Sequence, residues 1–120
     1  MARAQDQIST AYRRLIAEIP ALDRLKLVIR LELRGRGDVQ VFRVRVPGPE
    51  VAKVDPDDAR IDIAMPRSHF NELAAEGNLS HWHDAYDAGH FKVTGDTAVI
   101  KLLGTVIERH EARARLRKAH

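Results

Sequence analysis

Hydrophobic residues recur along this chain in two rhythms, and the switches between them mark its elements. Ile8, Ala11, Tyr12, Leu15, Ile16 and Ile19 fall three and four residues apart, which is one face of an amphipathic helix. Pro20 ends that helix, because proline lacks the amide hydrogen and disfavours helical backbone before it. From Leu25 the period becomes two. Leu25, Leu27, Ile29, Leu31 and Leu33 alternate with Lys26, Val28, Arg30, Glu32 and Arg34, predicting a strand with one dry and one wet face. Gly35-Arg36-Gly37-Asp38 predicts a hairpin turn. In the return strand Val39 and Val41 share one parity, whereas Phe42, Val44 and Val46 take the other. That change predicts a bulge near Val41 and Phe42, or burial on both sides there. Pro47-Gly48-Pro49 closes the strand.

Val51 to Val54 has the composition of a short third strand, followed by a turn at Asp55-Pro56-Asp57-Asp58. Ile61, Ile63 and Met65 alternate again as one side of a strand. Pro66 opens a helix whose inner face is Phe70, Leu73 and Ala74, with Gly77 as its C-cap. Ser80 is placed to cap a second, short helix ending at Gly89. His90 to Val93 is a last short strand. Asp96 caps a final helix with Val99, Leu102, Leu103, Val106 and Ile107 as its apolar face. Beyond Glu108 nearly every residue is charged, so that helix either continues as a solvated rod or frays. Hairpin-linked strands followed by segregated helices predict an α+β fold, its mainly antiparallel sheet covered by helices.

Composition narrows the function classes. The chain has 120 residues, 44% apolar and 31% charged, which suits one soluble globular domain. No stretch approaches the ~20 apolar residues of a membrane span. The first residues lack the apolar stretch of a signal peptide, so a cytoplasmic location is expected. There is no cysteine, which excludes disulfides, thiol catalysis and cysteine-based zinc sites. The net charge is +3, unevenly spread. Arg30, Arg34, Arg43 and Arg45 form a basic ladder on the hairpin, and Arg109, Arg113, Arg115, Arg117 and Lys118 crowd the tail. Such residues keep a solvated face soluble, or dock on an anionic membrane surface. Nucleic acid is disfavoured, since only Phe42 is interleaved with the cations.

The segment SHWHDAYDAGHFKVTGD, from Ser80 to Asp96, holds the densest chemistry. On a helix, His81 and His83 point about 200° apart and cannot share an ion. His83 and Asp87 have the metal-competent i, i+4 spacing, with His90 just beyond, but no further ligand is indicated. No metal or cofactor is expected, and the histidines are assigned to the surface or to caps. Trp82 and Tyr86 stand four apart as an inward stripe, either ordinary core or the wall of an apolar ligand cavity. Ser9, Ser68 and Ser80 are the only serines, and none lies in a nucleophile elbow. Gly35-x-Gly37 lacks the rest of a nucleotide fingerprint. No catalytic residue is identified.

The ordered set of elements from Ala59 to Ile107 resembles the sterol carrier protein type 2 (SCP-2) domain. The matching pattern is a strand (Ile61 to Met65), a helix ending in Gly-x-Leu (Phe70 to Leu79) and a second helix (Trp82 to Ala88). It continues with Gly-hydrophobic-x-Val-x-Gly-Asp, a spacing met by Gly89 to Asp96, and a C-terminal helix from Thr97. In this the chain looks like a small stand-alone, actinobacterial-like member of that family. The short helix departs from the pattern in carrying His81, Trp82 and Tyr86, where small or aliphatic residues are usual. The resemblance implies a five-stranded, mainly antiparallel sheet covered by helices, in a single domain of residues 1–110 with a basic tail at 111–120. It implies a non-enzymatic carrier of a fatty acid, acyl-CoA, sterol or phospholipid in an apolar cavity. Leu31, Met65, Phe70, Leu79, Trp82, Tyr86, Phe91, Leu103 and Ile107 form the expected wall. A partner-binding module with a closed core, acting through the basic hairpin and tail, is the alternative.

Overall fold

The computed structural model describes residues 4–118, with the side chain of Lys118 excepted. Helix α1 (Ala4–Glu18) passes through a short 3₁₀ turn (Pro20–Arg24) into strand β1 (Leu27–Gly35). Then follow β2 (Asp38–Val46), β3 (Glu50–Ala52), β4 (Ile61–Pro66), α2 (Arg67–Glu76), α3 (Leu79–Asp87), β5 (Lys92–Gly95) and α4 (Thr97–Lys118). The strands make one five-stranded sheet in the order β3-β2-β1-β4-β5. Only the β1–β4 pair is parallel.

The hairpin turn fixes the register of the sheet. Arg36 and Gly37 alone connect β1 to β2, and Gly37 takes a φ of +64°, the left-handed backbone that such turns need. The pairing then runs unbroken from Gly35 opposite Asp38 to Leu27 opposite Val46. The bulge expected near Val41 and Phe42 is therefore absent. Phe42, Val44 and Val46 are buried on the inner face, while Val39 is 57% exposed on the outer one. Exposing one valine near a tight turn costs little, whereas a register slip would turn Phe42 out to water. The parallel pair aligns Ile29, Leu31 and Leu33 with Ile61, Ile63 and Met65, so two strands pool their apolar rows on one side.

The helices cover that side. Arg14 of α1 donates to the carbonyls of Ala74 and Ala75 at 3.0 and 2.8 Å, where α2 ends. Glu18 accepts from the Leu79 amide at 2.8 Å, where α3 begins. A cation at a helix C-terminus and an anion at an N-terminus both complement the helix dipole. The cap of α3 lies earlier than Ser80. Asn78 accepts from the His81 amide at 3.2 Å, and the His81 ring accepts from the Asn78 amide at 3.1 Å. This reciprocal box leaves Ser80 inside the first turn, and it gives His81 a structural task. Gly77 does end α2, but with extended backbone. A Cβ there would lie 2.5 Å from the Leu73 carbonyl oxygen, so the requirement is space and not a positive φ. Asp96 caps α4 as expected, accepting from Ala98 at 2.9 Å. Within α4, Leu102 is 48% exposed and does not share the apolar face with Val99, Leu103, Val106 and Ile107. The helix runs on through Lys118; Ala119 and His120 of the expected tail lie outside the described residues. No helix among the described residues is long and apolar enough to cross a membrane.

Candidate functional site: an apolar pocket between sheet and helices

The inner face of the sheet is not uniformly filled. At the hairpin end Leu33 and Phe42 are each 1% exposed and fully packed. Toward the other end the helices stand off the sheet and leave a pocket of about 440 Å³. Its floor is the inner row of the sheet, including Leu27, Ile29, Ile61 and Ile63. Its walls are the inner faces of all four helices.

All nine residues expected to form a wall do line this pocket: Leu31, Met65, Phe70, Leu79, Trp82, Tyr86, Phe91, Leu103 and Ile107. Trp82 stands edge-on between Phe70 and Phe91, with ring centroids 6.5 and 6.1 Å away. In that position it is part of the wall, and the pocket persists beside it. The whole contribution of α1 was missed, although Ile8, Ala11, Leu15 and Ile19 face the pocket with the spacing already legible as a helical stripe. Gly104 was missed too. It lines the pocket from the middle of α4, and a Cβ there would meet nothing within 4 Å. A glycine inside a helix costs about 1 kcal/mol against alanine, so its presence marks the place where the helix yields room.

The polar members of the lining are Tyr12, His83, Tyr86 and Glu108. Burial pushes the Tyr12 phenol up to about 12, helped by the nearby charge of Asp23, so it stays neutral. Of the whole lining, only Tyr86 and Glu108 are exposed, which places the mouth between α3 and α4. His83 sits beside them. Its Nδ1 is 3.0 Å from Glu111 and its Nε2 is 3.5 Å from Asp87. The hydrogen bond to Glu111 raises the imidazole above its ordinary range.

The histidines are not gathered. His83 turns to Glu111, His81 caps α3, and His90 packs edge-on against His69 with centroids 4.4 Å apart. Among the described residues no group of three His, Asp or Glu side chains is placed to hold a metal ion.

The outer face of the sheet is charged and internally paired. Arg30 bonds Asp55 at 2.8 Å, Arg34 bonds Glu32 at 2.7 Å, and Arg43 meets Asp58 at 2.8 Å. Arg45 lies 3.4 Å from Glu50. Every arginine of the hairpin ladder thus has a carboxylate, and those at Asp55 and Asp58 come from the acidic turn that follows β3 in the sequence.

No protein-family model matches the chain, and no curated protein matches it. Solved structures do. Palmitated SCP2L2 from Aedes aegypti superimposes with a TM-score of 0.58 at 17% identity, over 83% of this chain and 93% of that one. The sterol carrier protein domain 2 of Helicoverpa armigera gives 0.59 at 9% identity, over 91% and 92%. Apo sterol carrier protein 2 from Yarrowia lipolytica gives 0.51 at 20% identity, over 74% and 75%. Sheet order, helix placement and these superpositions agree: the chain has the sterol carrier protein 2 fold.

Proposed function

We propose that this protein is a non-enzymatic carrier that holds one lipid-like ligand, with an acyl or sterol-like body, in the pocket between sheet and helices. The observation that carries the reading is the pocket itself. Protein interiors are normally packed as densely as organic crystals. Here about 440 Å³ is left open among side chains that are almost all aliphatic or aromatic. Apolar side chains that face such a hollow forgo the packing partners that a filled core would give them, which is costly for a small domain. A hollow of this cost is a site rather than a packing flaw, and its size falls in the range of small-molecule pockets, ~300–1,000 Å³. The palmitated state of the similar Aedes aegypti protein supports the same reading. The nine wall residues are the proposed ligand contacts. The alternative, partner binding through the basic hairpin and tail, has less support, because the hairpin arginines are already paired. The exposed end of α4, with Leu116 64% accessible among Arg113, Arg115 and Arg117, is the part of that alternative that stands.

Native mass spectrometry before and after delipidation tests the proposal. The expected result is a lipid-sized adduct that delipidation removes and that fatty acids or sterols restore. Gly104→Phe should abolish rebinding by placing a ring in the hollow, since a Cβ at this position meets nothing within 4 Å. Absence of any adduct, with no rebinding of several fatty acids and sterols, would sink the idea.

A further inference from the structure

Helix α4 has a second face, which the pocket does not use. Its inner side packs on the body through Leu103, Val106 and Ile107. Ala98, Leu102, Thr105, Arg109, Ala112 and Leu116 fall on the opposite side, and all six are exposed. Their spacing is four, three, four, three and four residues, which is the a and d seam of a heptad repeat. Leu102 and Leu116, at a positions, are 48% and 64% exposed, and they are two of the five large hydrophobic side chains exposed among the described residues. The charges around this seam decide what it fits. A bilayer is a poor occupant, because Arg109 stands midway between the two leucines, on the line where a membrane-bound helix keeps its apolar residues. Another helix is a good one. A single polar residue at one a position fixes register and pairing in a coiled coil, at some cost in stability.

We propose that the outer face of α4 pairs with the same face of a second copy of this chain, as a short parallel two-stranded coiled coil about a twofold axis. The inference does not depend on the carrier reading. Under that symmetry each seam residue meets its own copy. Leu102 packs on Leu102 and Leu116 on Leu116, while Thr105 and Ala112 let the backbones approach. The position before an a residue flanks the position five residues on in the other helix. Glu108 of each copy therefore meets Arg113 of the other, and it also lies beside the other copy's Arg109, offsetting the approach of the two guanidinium groups. Lys101 takes the same flanking position one heptad earlier and lies against Val106 of the second copy. Its stem covers that valine while the ammonium reaches water. An antiparallel pairing that overlaps the seams fully would set Glu108 near its own copy and Lys101 near Arg115, like charges in both places. Because α4 is already helical on the body, pairing costs little ordering entropy. The seam spans only about 27 Å, so the dimer is a weak one.

Sedimentation equilibrium of the full chain over a range of concentrations tests the pairing, with far-UV circular dichroism to show that each variant keeps its fold. The wild type should pass reversibly from one chain to two with a micromolar Kd. Leu116→Glu should weaken the dimer at least about tenfold. Arg109→Leu should tighten it at least about tenfold, since it completes the apolar seam. Glu108→Arg should weaken it, and adding Arg113→Glu should recover most of that loss, which an antiparallel pairing would not do. A wild type that is still a single chain at about 1 mM overturns the inference. So does a dimer indifferent to Leu116→Glu, or a double variant without recovery. Co-sedimentation of the wild type with phosphatidylglycerol vesicles, lost in Leu116→Glu, would assign the face to a lipid surface and overturn it as well.

Discussion

The two ends of the sheet's inner face are made of the same kind of residue and yet do different things. Leu33 and Leu27 are both leucines of β1, on the same face, three pairs apart in the alternation. Leu33, next to Phe42 at the hairpin end, is 1% exposed in solid packing. Leu27, at the other end, is half-buried and forms part of the pocket floor. The difference comes from what lies above. α2 presses Phe70 and Ala74 onto the hairpin end, whereas α3 and α4 meet over the other end with Gly104 where a side chain would have filled the gap. Apolar alternation therefore fixes which face is dry, but the covering helices decide whether that face is core or cavity.

Removing a leucine at each end should break the comparison open. Leu33→Ala empties a sealed site and should cost about 3–4 kcal/mol, the middle of the range for buried leucines. Leu103→Ala only enlarges a space that already exists, beside a half-exposed helix, and should cost about 1–2 kcal/mol. Urea unfolding midpoints at unchanged slope would measure both. Equal losses at the two positions would mean that the pocket is closed in solution.

The outer face sharpens the contrast from the other side. Glu32 accepts from Arg34 and Arg30, which hold its carboxyl below the usual carboxylate range, the Arg34 bond being the larger cause. The pair is near the surface, so Glu32→Gln should cost only about 0.2–1 kcal/mol, and less in high salt. A loss comparable to that of Leu33→Ala would show that the charged face carries stability and not just solubility.

Much of this was legible in the chain. Period-two alternation identified β1 and β4, period-three-and-four spacing identified α1, and Gly95-Asp96 identified the start of α4. The nine residues expected to form a wall do border the pocket, although Tyr86 is 49% exposed at its mouth and does not face inward. What was not legible were relations between elements. The parity change at Val41 was read as a bulge or as burial on both sides, because sequence does not show that exposing an outer valine costs less than shifting a register. The register runs unbroken, with Val39 exposed and Val41 half-buried on the outer face. Ser80 was read as the cap of α3 because serine is a good capping residue; the structure places Asn78 there instead, with the His81 ring returning to the Asn78 amide. Two rungs of the basic ladder, Arg30 and Arg43, looked unpaired because their carboxylates, Asp55 and Asp58, are 25 and 15 residues away along the chain. Gly104 was overlooked since a glycine signals room only once the opposite wall is known.

The smallest effect concerns the mouth, where α3 and α4 are joined through His83 and Glu111. The hydrogen bond to Glu111, then its charge and those of Asp87 and Asp84, raise the imidazole's pKa in the folded protein. The protonated ring is therefore favoured by folding. Its contribution to stability is complete below the unfolded value of about 6.5 and is lost as pH rises through the higher folded value. Urea midpoints measured between pH 5.5 and 8.5 should fall across that window, by less than the cost of Leu103→Ala because His83 is 39% exposed. Glu111→Gln removes the principal cause of the shift, so it should flatten this fall while leaving the pocket's wall untouched. Persistence of the full slope in Glu111→Gln would place its origin at other groups and would mean that the two helices of the mouth are not coupled through this pair.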